Sequence, residues 1–92
     1  MASLSAYRLQ ETASVLCSFS PQFVVLRSHA SLPICQYYIV PESWSNSSRT
    51  QPLAHINVTP SGDIFVKSFQ PQVYDVKITS DELKSKVKRL IN

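Results

Sequence analysis

Apolar and polar residues alternate along much of the C-terminal half of this chain. In 53–59, Leu-Ala-His-Ile-Asn-Val-Thr, Ala54, Ile56 and Val58 interleave with Leu53, His55, Asn57 and Thr59. In 64–69, Ile64 and Val66 oppose Phe65, Lys67 and Phe69. In 73–79, Tyr74, Val76 and Ile78 oppose Val73, Asp75 and Lys77. A period of two is the mark of a half-buried strand. The joining segments Pro-Ser-Gly-Asp and Gln-Pro-Gln are short enough for hairpins. The pattern therefore predicts a three-stranded antiparallel meander over 53–79.

The period then changes. Leu83, Val87, Leu90 and Ile91 fall within about 100° of arc at helical spacing, which predicts a helix over 80–91 with one apolar stripe. Thr79 and Glu82 match the T-x-x-E capping box, and Asp81 and Glu82 sit where the helix dipole favours acids. Towards the N-terminus, 23–30 and 34–40 are β-branched and aromatic and are separated by Pro33. They read as two more strands, each buried on both faces. Residues 3–17 fit two patterns. As a helix, Ala6, Leu9, Ala13, Leu16 and Cys17 gather on one side. Read as a strand, Ala13, Val15, Cys17 and Phe19 alternate. The helix to about residue 12 is the expectation. Residues 41–52 form a polar loop bounded by prolines, with Trp44 inside it. The fold class expected is α+β: one domain over 1–92, a sheet of about five antiparallel strands, and a C-terminal helix across one face.

Composition narrows the class of function. The chain is 43% apolar but only 16% charged, against about 25% charged in an average domain. At 92 residues it can bury roughly 60–65% of its unfolded surface, enough for one core. Few charges leave uncharged surface that suits self-association or a bound partner. The net charge is +3, and its larger part lies at the end, where Lys84, Lys86, Lys88 and Arg89 face only Asp81 and Glu82. No apolar run is long enough to span a bilayer, and no apolar leader stretch opens the chain. Segment 1–32 has the Ser- and Arg-bearing, acid-poor make-up of a transit peptide, but is expected to be folded. Cys17 and Cys35 make no C-x-x-C spacing, so the expectation is two reduced core thiols in a cytoplasmic or nuclear setting.

The single glycine, Gly62, follows Pro60 and Ser61 into a strand. A phosphate-cradling loop needs several glycines leading into a helix, so Gly62 reads as a hairpin corner. His29 and His55 stand alone, without the spacing of a metal site, and no cofactor is expected. A Cys–His nucleophile pair would need the fold to bring distant residues together. The function expected is a non-enzymatic protein-interaction module, as a homodimer or a small accessory subunit of an assembly. In the expected register the sheet face opposite the helix presents Leu53, Phe65, Phe69 and Val73, which with Trp44 form the candidate partner site. The alternative is binding of nucleic acid or an anionic surface through Lys67, Lys84, Lys86, Lys88 and Arg89.

Overall fold

In a computed structural model, which describes residues 13–29, 33–45 and 50–92, five strands form one sheet. They are β1 (Ala13–Ser18), β2 (Phe23–Ser28), β3 (Cys35–Pro41), β4 (Ala54–Val58) and β5 (Ile64–Phe69). The spatial order is the chain order, and every neighbouring pair is antiparallel. A 3-10 turn over Pro71–Tyr74 and an extended connection lead to helix α1 (Ser80–Ile91). The expected class, an antiparallel five-stranded sheet with a C-terminal helix, is the observed one. No helix among the described residues is long and apolar enough to cross a membrane. The helix expected over 3–12 lies outside the described residues.

One strand is not where the alternation places it. Residues 73–79 do not join the sheet. Pro71 has no N–H to give a ladder and its ring fixes φ, so the chain leaves β5 by a tight turn. Asp75 then takes a left-handed conformation, φ 53° and ψ 42°, with its N–H directed to the Gln72 carbonyl. The alternation is nonetheless real. Tyr74, Val76 and Ile78 all pack against the core, while Val73, Asp75 and Lys77 face solvent. Period two here records a segment lying on an apolar surface, not a hydrogen-bonded strand. The fifth strand comes instead from β1, the strand reading of Ala13, Val15 and Cys17.

Both edge strands are bulged. On β1, Val15 faces Leu26 but Cys17 faces Val25, so Leu16 is an extra residue. On β5, Ser68 faces His55 but Val66 faces Ile56, so Lys67 is extra. A bulge flips the side-chain alternation beyond it. Cys17 and Phe69 therefore join the row of Val25, Ile39 and Ala54 on the helix side.

The helix-side core holds most of the buried apolar surface. Val25, Ile39, Leu53, Ile56, Leu83 and Val87 are each at most 1% exposed. Burying a side chain of this size contributes about 1.5–3 kcal/mol. Leu83 and Val87 come from α1, with Leu90 and Ile91 packed beside them, so the apolar stripe docks as its spacing predicts. The start of the helix is fixed by the capping box. Glu82 N donates to Thr79 Oγ1 at 3.1 Å and Thr79 N donates to Glu82 Oε1 at 2.7 Å. The β4–β5 hairpin closes at Gly62, whose φ of +92° only glycine adopts freely. Its N–H donates to the Thr59 carbonyl, while Asp63 N donates to Thr59 Oγ1.

Candidate interaction site

A groove of about 940 Å3 lies at one end of the sheet, between the β1–β2 turn, the 71–79 connection and α1. Three local structures make it. The turn after β1 is tight, with Phe19 N and Ser20 N both donating to the Phe23 carbonyl. It presents Phe19 and Phe23 to the groove. The connection leaving the 3-10 turn lays Tyr74, Val76 and Ile78 along the floor. Helix α1 supplies Asp81, Glu82, Ser85, Lys86 and Arg89 as one wall.

The floor is held by aromatic contacts. The Tyr74 ring meets the Phe23 ring edge-on, with centroids 5.3 Å apart and planes at 89°. Tyr74 OH donates to the Gln51 carbonyl, which ties the connection to the segment entering β4. Burial pushes the Tyr74 phenol up from its usual value near 10. Lys86 Nζ stands 4.3 Å above the Phe19 ring, a cation–π contact that clips α1 to the β1–β2 turn. The rim mixes signs. Asp75, Asp81 and Glu82 share it with Lys86 and Arg89.

The opposite face carries a smaller core of its own. Leu26, Tyr38 and Val40 form a second buried cluster, with Ala13, Val24 and Trp44 packed on it. Trp44 folds back over that cluster and its Nε1 donates to the Thr50 carbonyl at 2.7 Å. Beside it, Tyr38 and His55 stack at 4.4 Å with planes 8° apart. Gln36 Oε1 lies 3.0 Å from His55 Nε2, and Tyr38 OH donates to the same oxygen at 3.4 Å.

The residues expected to share one partner face are dispersed. Leu53 is 0% exposed in the helix-side core. It precedes β4 and so escapes the pleat that would have turned it outward. Phe69 reaches the same core through the Lys67 bulge. Phe65 does lie on the opposite face and is 54% exposed. Val73 is exposed, but on the 3-10 turn. The cations divide as well. Lys84 and Lys88 line a shallow recess with Asp63 and Phe65 at the hairpin. Lys86 and Arg89 line the groove on another side of α1, and Lys67 is exposed in its bulge.

The two thiols lie half-buried against the helix-side core and are free. Cys35 Sγ accepts from Arg27 Nη2 at 3.8 Å. The neighbouring Tyr37 phenol is raised above 10, chiefly by burial, with Arg27 opposing the shift and Cys35 adding to it. The groove was missed in the sequence because Tyr74, Val76 and Ile78 read as a strand. No family model, no curated protein and no solved structure matches this chain.

Proposed function

We propose that this chain is a non-enzymatic protein-interaction domain and that its partner site is the groove between the β1–β2 turn, the 71–79 connection and α1. The observation behind this reading is the groove's make-up: an apolar floor under a rim of both charge signs. Apolar side chains from an extended or helical partner segment would fill the floor, while flanking charges would fix its direction. The aromatic floor offers large contact area at little cost in side-chain entropy.

Peptide-display selection against the immobilised chain tests this. Ser85 is exposed and lines the groove, so Ser85→Trp fills it without touching the core. Enriched peptides should have apolar residues flanked by charge, and Ser85→Trp should weaken their binding about tenfold or more. Phe65→Ser, on the opposite face, should leave them bound. A selection that enriches nothing, or peptides that bind Ser85→Trp equally well, would refute the reading.

A second reading is anion binding at the hairpin recess, which Lys84, Lys88 and Phe65 line. Lysines beside an aromatic ring suit single-stranded nucleic acid, although Asp63 in the same recess opposes it. Fluorescence anisotropy with a labelled oligonucleotide at low salt decides this. The reading requires binding that falls with salt and is lost in the double variant Lys84→Glu, Lys88→Glu.

A further inference from the structure

We propose that the occupant of the groove is an extended peptide segment with two apolar residues at alternate positions, bracketed by one basic and one acidic residue four positions apart. The inference rests on the reading of the groove as the partner site and adds the chemistry of what fills it.

The charges on the groove wall are ordered. Asp81 and Glu82 stand at the start of α1, Lys86 and Arg89 stand further along it, and all four line the same concavity. Three of the rim charges are engaged within the chain. Glu82 Oε1 accepts from Thr79 N at 2.7 Å. Lys86 Nζ lies over the Phe19 ring, and Asp75 pairs with Lys77 at 3.3 Å. Asp81 and Arg89 are exposed, and no ion pair among the described residues uses either. They are left as one negative and one positive pole for a ligand.

The spacing of the poles measures the occupant. Asp81 and Arg89 are eight positions apart on the helix, about 12 Å along its axis. An extended chain covers that span in about four residues, and a helical one needs eight. The floor favours the extended form. Val76 and Ile78 are alternate residues of an extended connection, half-buried against the core and lining the groove. An extended ligand repeats at the same interval, so apolar side chains at alternate positions meet them. Its alternation sends the two bracketing residues away from the floor, towards the rim that Asp81 and Arg89 share. A segment with two like charges would set one of them against a pole of its own sign.

Peptide display of fixed-charge libraries on the immobilised full chain tests the proposal. The short libraries read charge, apolar, any, apolar, charge, with the charges set as Lys and Glu in either order, as two Lys or as two Glu. The long libraries place Lys and Glu eight positions apart. On the wild type, a short library of opposite signs should enrich about tenfold over the like-sign libraries, since an exposed ion pair contributes up to about fivefold. That preference should fade as salt rises. Arg89→Glu should move it to the two-Lys library and Asp81→Lys to the two-Glu library, each with the far-UV circular dichroism of the wild type. Asp81→Asn, the milder change at the helix start, should shrink it about fivefold or less. Equal enrichment of like-sign and opposite-sign libraries, stronger enrichment of the long ones, or a preference that neither reversal moves would overturn the proposal. If the peptides enriched in those cases are still lost on Ser85→Trp, the groove reading stands without this refinement. Enrichment of no library would end both.

Discussion

Phe65 and Phe69, four residues apart on one strand, lie on opposite faces of the sheet because Lys67 is an extra residue between them. Phe69 shares a row with Ala54 against the helix-side core, and Phe65 shares one with Asn57 on the far face. The two rings should therefore differ in what they contribute to stability. Phe69→Ala should cost about 2–3 kcal/mol, somewhat less than a fully buried phenylalanine. Phe65→Ala should stay within about 0.5 kcal/mol of wild type. Urea unfolding of both variants measures the difference, and equal costs would mean that the bulge is misplaced.

The capping box gives a second expectation. Thr79→Ala removes the acceptor for Glu82 N and should cost about 1 kcal/mol. Thr79→Ser keeps an acceptor and should recover most of that loss. Thermal unfolding of the pair reads the order, and a cost for Thr79→Ser as large as for Thr79→Ala would contradict the cap.

Gly62 has open space where a Cβ would sit, yet its φ is +92°. Gly62→Ala should therefore destabilise through backbone strain alone, by about 1–2 kcal/mol. A neutral or stabilising alanine in chemical denaturation would show that the hairpin corner has another geometry.

The two raised tyrosines set an alkaline limit. Tyr37 and Tyr74 have folded-state pKa values above the usual 10, mainly through burial. The unfolded chain thus loses their protons first, and stability is fully present below pH 10 and declines as pH rises beyond it. Ultraviolet difference titration should show phenolate appearing later in the folded chain than in urea. Tyr74→Phe should remove part of that lag, and a lag unchanged by the substitution would assign it elsewhere.

Most of the sheet and all of α1 are legible in the sequence, because strand alternation and the Leu83, Val87, Leu90, Ile91 stripe each match one period. Three features are not. A bulge is invisible to a strict period of two, so Lys67 silently reassigns Phe69 and Leu16 reassigns Cys17. Tyr74, Val76 and Ile78 alternate because they lie on the core, and alternation alone does not distinguish that from pairing in a sheet. Pro71 was the available warning, since its missing N–H marks a departure from the ladder. Leu53 failed for a related reason, as its carbonyl accepts from Gln70 N outside the regular register. The alternation of Tyr74, Val76 and Ile78 is what hid the groove, which is built from turns and a connection rather than from a motif.

The most direct test of the groove is an NMR titration of the 15N-labelled chain with a peptide taken from the display selection. Amide shifts should gather on Ser20, Gln22, Val76, Ile78, Lys86 and Arg89, which line one concavity though they are far apart in sequence. Shifts confined instead to Asp63, Phe65, Lys84 and Lys88, or to β1, would place the partner elsewhere and contradict the assignment.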